Sequence, residues 1–415
     1  MSTKTKKNKV PKGLKPRGKK PLVPKWKLFR SSDPLLSVFM WGINHTVNEL
    51  NHVPPPTLLM PDDFKAYSKI KVDNHDFNKE NMPSHFKVKE YCPHVFKNLR
   101  DHFGFMEHEY LRSLTHMEPE ESENPGRSGS RFYYSYDKKC IVKTLCAEEV
   151  AEVHSILKDY HEYVVEKHGK TLLPQYLGMY RLTVEGSETY MVVMRNIFGR
   201  KYPVHKKYDL KGSTVQRQAS DKERTKELPT LKDNDFLGDK CKLFLSEESK
   251  DKLLGMLTAD TGFLTKLRLM DYSLLVGIYD CERAEEAAKC APVGAGESSD
   301  AAESGGSGEE FQPTPPDSPI PSTGAFAPLP SHGALELDDE FYAIPSRPDA
   351  VRSEVYFIGL VDILTYYGVK KKTASAAKSV KYGAEADIST VKPEQYASRL
   401  VQFAKKATDE EATGE

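Results

Sequence analysis

Residues 270–279 read MDYSLLVGIY and residues 355–364 read VYFIGLVDIL. Each holds an apolar run of strand length, rich in β-branched and aromatic residues. Each also carries an aspartate at one end, Asp271 before the first run and Asp362 after the second. Between them, residues 282–350 hold 14 acidic against 3 basic residues and are rich in Pro, Gly and Ser. A structureless connection of that length does not belong inside a compact core. It is expected to be a disordered insertion that loops out between two paired strands. Antiparallel pairing then sets the start of one strand beside the end of the other, and the two carboxylates meet at one rim. Paired carboxylates there suit Mg²⁺, which takes one or two carboxylates and completes its shell with water and substrate phosphates.

Working outward, residues 126–130 read GRSGS, a loop whose Gly126 and Gly129 let backbone N–H groups approach a phosphate. A β-hairpin is predicted next, over 131–136 and 140–145. Lys143 lies inside its second strand, and an ammonium turned toward a core face needs an anion there. A helix is predicted over 148–168, with Glu148, Glu149 and Glu152 as alternative partners for that lysine. Glycine loop, strand lysine and helix glutamate occur in this order in protein kinases. The H-R-D-L-x-x-x-N and D-F-G signatures are both missing, so the chain is not an ordinary protein kinase. Further elements are a helix opened by Asp33-Pro34 and stopped at Pro54-Pro55-Pro56, a hairpin over 180–184 and 190–194, and a helix over 246–267.

The chain has 415 residues, and its 60 Lys+Arg balance its 60 Asp+Glu. The zero sum conceals a segregation, because residues 1–30 carry 12 basic and no acidic residues. That stretch reads as a flexible basic arm. No run approaches the ~18 apolar residues of a membrane span, and no secretory signal is visible. The six cysteines form no C-x-x-C pair and are expected to be reduced. His94, His102, His108 and His116 lack ligand spacing. Basic residues without interleaved aromatics argue against a nucleic-acid partner.

The stretches 270–275 (MDYSLL), 207–213 (KYDLKGS), 361–364 (VDIL) and 140–144 (CIVKT) together resemble the phosphatidylinositol phosphate kinases. The resemblance runs from about residue 25 to 403. DPLLSVFMWG at 33–42, VPPP at 53–56 and PDDF at 61–64 resemble the type II branch, the phosphatidylinositol 5-phosphate 4-kinases. The family implies an α+β fold, a divergent two-lobed protein-kinase-like structure with antiparallel sheets. The N-terminal lobe would span 31–200 and the C-terminal lobe 201–415, with an activation loop at 366–393.

The resemblance also implies roles. Lys143 would hold the ATP phosphates. Asp271 would be the catalytic or metal aspartate, and Asp362 the Mg²⁺ aspartate. Gly126, Ser128, Gly129 and Ser130 would form the glycine loop; Arg195, Asn196 and Phe198 belong to the adenine hinge at 194–198. Asp209, Lys211 and Arg217 would meet the inositol head group, where an arginine can take a phosphate with two parallel bonds. Lys371 and Lys372 would contact lipid, and Ala374 stands where type I enzymes carry glutamate.

The implied reaction uses ATP and Mg²⁺ and carries a phosphoryl group to the 4-hydroxyl of phosphatidylinositol 5-phosphate, making phosphatidylinositol 4,5-bisphosphate. The alternatives are a phosphatidylinositol 4-phosphate 5-kinase or a low-activity phosphoinositide-binding scaffold. The implied setting is a homodimer, cytoplasmic and peripherally attached to an anionic membrane surface, with the nucleus as an alternative. The general base stays open at this point.

Overall fold

A computed structural model describes residues 31–73, 82–122, 129–199, 201–290, 341–368 and 391–409. Helix α1 (Pro34–Asn51) starts where the sequence asks: the Asp33 carboxylate accepts from the Leu35 N–H at 2.8 Å, and Pro34 fills the first turn. Its face of Val38, Phe39, Ile43 and Val47 is buried. There follow β1 (Tyr67–Asp73), β2 (His85–Tyr91), α2 (Pro93–His102), α3 (Glu107–Thr115), β3 (Glu120–Glu121), β4 (Phe132–Tyr134), β5 (Cys140–Leu145), α4 (Ala147–Glu166), β6 (Tyr176–Val184) and β7 (Ser187–Arg195). The strands form a 7-stranded antiparallel sheet in the order β1-β2-β6-β7-β5-β4-β3. Both predicted hairpins are present. The second turns at Glu185-Gly186, both at positive φ.

The second layer is built from β8 (Lys206–Leu210), α5 (Asp221–Arg224), β9 (Thr230–Lys232), α6 (Asp233–Gly238), α7 (Glu247–Lys266), β10 (Ser273–Asp280), α8 (Cys281–Cys290), β11 (Ala343–Pro345), β12 (Glu354–Val361) and α9 (Pro393–Thr408). Its 5-stranded sheet runs β11-β12-β10-β8-β9, antiparallel except for the parallel β8–β9 pair. One face of this sheet, with Tyr208, Leu274, Val276, Ile358 and Leu360, joins Leu257, Leu264 and Leu400 of α7 and α9 in the main core. The other face, with Tyr279, Val355 and Phe357, meets Ile197 and Tyr202 from the link between the two sheets.

The two sheets are clasped together. Asp260 of α7 is buried, and its carboxylate accepts from Tyr163 Oη (2.6 Å), Thr171 Oγ1 (2.8 Å) and the Leu172 N–H (2.6 Å). The Leu360 N–H of β12 donates to the Leu172 carbonyl at 2.7 Å. The chain is thus a two-lobed α+β fold with antiparallel sheets.

One expectation is corrected. The insertion read over 282–350 is narrower, because residues 281–290 are helical and 343–345 form a strand. The stretch CERAEEAAKC has three alanines, a glutamate in its first turn and a lysine near its end, all of which favour helix. Asp280 caps it by accepting from the Arg283 N–H at 3.0 Å. The Pro-, Gly- and Ser-rich average over the whole insertion hid these ten residues. The basic arm lies outside the described residues. Among the described residues, no helix is long and apolar enough to cross a membrane.

Candidate active site

The pairing of β10 with β12 puts Ser273 opposite Val361. Asp271 and Asp362 lie just beyond that register pair, and so sit at one rim of the second sheet as the sequence predicted. The adjoining chain holds them there. The Met270 N–H donates to the Thr365 carbonyl at 2.9 Å, and Leu269 bridges to Tyr366. Both aspartates adopt the left-handed backbone, with φ 65 at Asp271 and φ 57 at Asp362. Such a conformation costs an ordinary L-residue roughly 1–2 kcal/mol and is tolerated by Asp better than by most.

Their surroundings differ. The Lys211 ammonium donates to the Asp271 carboxylate at 2.8 Å and to the Asp271 carbonyl at 2.5 Å. Asp362 is exposed and makes no ion pair among the described residues. Those residues also contain no group of three or more His, Cys, Asp or Glu able to cage a metal. Two aspartates at one rim are the number of carboxylates that Mg²⁺ takes, with its other positions left for water and phosphates.

Lys143 lies on β5 of the first sheet. Its ammonium donates to Glu149 Oε1 at 3.0 Å, with only 17% and 21% of the two side chains exposed. Glu149 also accepts from the Cys146 N–H at 2.9 Å, in the first turn of α4. Burial tends to raise its pKa, but the Cys146 and Lys143 hydrogen bonds outweigh that and hold it below the usual carboxylate range. The choice among three glutamates is thereby made. Glu152 is instead pushed up, by burial and by Glu149. Buried Tyr176 lies near carboxylates of both lobes. Its hydroxyl is pushed well up, by burial first, then by the carboxylates of Asp362 and Glu149.

In the glycine loop, Gly129 has φ 77 and Ser130 is buried; Gly126 and Ser128 lie outside the described residues. In the link after β7, Asn196 donates to the Lys138 carbonyl at 2.9 Å and accepts from the Phe198 N–H at 3.1 Å. The Phe198 ring lies on β10, where a Cβ on Gly277 would come within 2.5 Å of it. Arg195 donates to the Phe103 carbonyl at 3.0 Å and stacks over Phe105, so its side chain braces the link against the α2–α3 turn. A cleft of about 390 Å³ beside Phe105, Arg195 and Phe341 contains neither Lys143 nor the two aspartates.

The KYDLKGS stretch departs from expectation at Arg217. A free arginine fork was expected there, but the guanidinium is buried and spent on two carboxylates, Asp209 at 2.6 Å and Asp233 at 2.7 Å. Burial raises the Asp209 pKa, yet Arg217 and Lys211 win and hold it below the ordinary aspartate range. Asp233 is fully buried at the head of α6, and its other oxygen accepts from the N–H groups of Lys211 (2.9 Å) and Ser213 (3.2 Å). It therefore fixes the loop that delivers Lys211 to Asp271. Gly212 between them has φ 64 and packs against the Arg399 carbonyl of α9, where a Cβ would approach to 3.0 Å. The sequence reading missed Asp233, because the three-residue strand TLK at 230–232 that precedes it carries no apolar pattern. Lys371, Lys372 and Ala374 lie outside the described residues.

A two-lobed fold with a Lys–Glu pair under one sheet and two aspartates on the rim of the other belongs to the kinase-like class. Residues 114–407 match the family described as Phosphatidylinositol-4-phosphate 5-Kinase. The chain is 57% identical over 384 residues to phosphatidylinositol 5-phosphate 4-kinase type-2 alpha of Gallus gallus, covering 92% of this chain and 93% of that protein. It is 56% identical over 381 residues to the type-2 alpha protein of Homo sapiens, covering 91% and 92%. It is 55% identical over 385 residues to the type-2 beta protein of Mus musculus, covering 91% of each. The chain belongs to this phosphatidylinositol phosphate kinase family.

Proposed function

We propose that the chain is a phosphatidylinositol 5-phosphate 4-kinase, which transfers the γ-phosphoryl group of ATP to the inositol 4-hydroxyl and makes phosphatidylinositol 4,5-bisphosphate. The convergence of Lys143–Glu149, Lys211–Asp271 and Asp362 carries this reading. Lys143 offsets charge on the ATP phosphates, and Glu149 keeps its ammonium aimed. Asp271, paired with Lys211 at 2.8 Å, is an acceptor placed to orient the attacking hydroxyl. Asp362, with Asp271, would hold Mg²⁺, which supplies further charge neutralisation on the phosphates. Asn196 and Phe198 shape the adenine side, and the backbone at Gly129 and Ser130 closes over the phosphates. Arg217 and Asp209 act through Lys211. Most of the acceleration is positioning and electrostatics.

Membrane attachment is supported by β1 and β2. Lys69 lies directly opposite Lys89, and Lys71 opposite Lys87. Like charges so placed destabilise a sheet. Burial, then Arg181 and Lys69, lower the pKa of Lys89. A stripe held against its own repulsion suits an anionic leaflet, where each basic residue contributes about 1 kcal/mol. Exposed β1 is also the edge strand, which suits pairing with a second copy. The setting is the cytoplasmic membrane surface.

The test is radiolabelled ATP with each phosphatidylinositol monophosphate, wild type beside Asp362→Asn. Label enters the 5-phosphate lipid and is lost in the variant. Label in the 4-phosphate lipid alone overturns the assignment. No label in any lipid, with lipid binding intact, favours the scaffold.

A further inference from the structure

At the end of the second sheet opposite the aspartate rim lies a second cleft of about 300 Å³. It is lined by the start of β8, the end of β10, the start of α8, the segment 239–244 and the turn before β12. Nine residues of chain separate Asp271 from Asp280, so at about 3.3 Å per residue the cleft is about 30 Å from the catalytic rim. It is not part of the site described above.

Its charges do not cancel. Lys206, Lys240, Lys242, Arg283 and Arg352 line it against Asp239, Asp280 and Glu354. The three acids are already engaged. Asp239 accepts from Tyr208 Oη at 2.8 Å and pairs with Lys206 at 3.8 Å. Asp280 caps α8. Glu354 is buried and accepts from Tyr356 Oη at 2.8 Å. Lys242 is held by the Lys406 and Asp409 carbonyls. Lys240, Arg283 and Arg352 make no ion pair among the described residues.

One further feature distinguishes this cleft from an ordinary basic surface. His205 Nδ1 accepts from the Asp280 N–H at 3.0 Å, which fixes the tautomer and leaves Nε2–H as a donor. Burial and Arg283 lower the His205 pKa, so the ring stays neutral and keeps that donor near pH 7.

We infer that this cleft is a binding site for a small soluble phosphate ligand, a phosphate monoester or diphosphate, gripped by Lys240, Arg283, Arg352 and the His205 Nε2–H donor. Two arginine forks, a lysine point charge and a neutral donor match the oxygens of such a group. The 300 Å³ volume admits one or two phosphates. The position is far from the rim at which a lipid must present its inositol ring, which favours a freely diffusing ligand.

The test uses the full chain with its nucleotide site filled by a non-hydrolysable ATP analogue and Mg²⁺. Inorganic pyrophosphate is titrated by calorimetry, and hydrogen exchange is read in peptides covering 239–244 and 281–287. Binding is expected with slowed exchange in both peptides. In Arg283→Ser/Arg352→Ser the affinity falls about tenfold per arginine, while lipid phosphorylation is unchanged. No binding, or equal binding in wild type and variant, overturns the inference. Vesicles of phosphatidylinositol monophosphate and soluble inositol bisphosphate form the comparison arms. Protection by the vesicles and by neither soluble compound also overturns it, since the site would then read a lipid head group.

Discussion

Asp233→Asn separates positioning from mere support. The native carboxylate faces donors on both sides: Arg217 Nε at 2.7 Å on one oxygen, the Lys211 and Ser213 N–H groups on the other. An asparagine has one oxygen and one NH₂. Whichever way it turns, its NH₂ meets a donor. With the oxygen toward the backbone, Arg217 loses one of its two carboxylates while remaining buried. Breaking a buried pair from one side costs about 3–5 kcal/mol, and the surviving Asp209 contact puts this case near the lower end. The loop carrying Lys211 then loses its anchor, and a displacement of about 1 Å at a reacting group costs about a hundredfold in rate. The expected result is a loss of about 3 kcal/mol in urea unfolding, a kcat lowered about a hundredfold, and a KM for ATP close to wild type. Wild-type kcat together with reduced stability would show that Asp233 supports the fold alone. Wild-type values of both would refute the geometry.

Three further outcomes are expected. Lys143→Met lowers kcat/KM about a thousandfold in the lipid kinase assay, and Glu149→Gln by less, because glutamine still accepts a bond from the ammonium. Gly277→Ala drives a methyl group to within 2.5 Å of Phe198 and 2.7 Å of Val204; it costs about 1–3 kcal/mol in thermal unfolding and raises the KM for ATP through the displaced ring. The folded-state pKa of Asp209 is depressed, so its stabilisation is present above the ordinary aspartate pKa and lost as pH falls through the depressed value. Wild type should therefore lose more stability than Asp209→Asn in urea titrations run from about pH 5 down to about pH 3; parallel losses would contradict the pairing.

Much of this site could be read from the chain because its signals are local. The strands before and after the acidic insertion are continuous apolar runs, and pairing alone sets Asp271 beside Asp362. Lys143 stands out because a lysine is rare within so apolar a strand. Local pattern fails where the deciding partner is distant. Glu148, Glu149 and Glu152 are equivalent as text, and only the ion pair with Lys143 singles out Glu149. Arg217 reads as a phosphate grip because arginine chemistry suits one, yet Asp233, sixteen residues on, turns it inward. The parallel β8–β9 pair, which carries α6 and Asp233 to that place, leaves no mark in a three-residue strand.

The left-handed backbone at Asp271 and Asp362 bears on how this enzyme can change. Glycine adopts that conformation freely, so Asp362→Gly relieves local strain while removing the metal-side carboxylate. The chain that results should melt at or above the wild-type temperature and transfer no phosphate. Selection for heat resistance alone would therefore drift toward a durable, silent protein. The aspartates persist at these two bends only while catalysis is itself under selection.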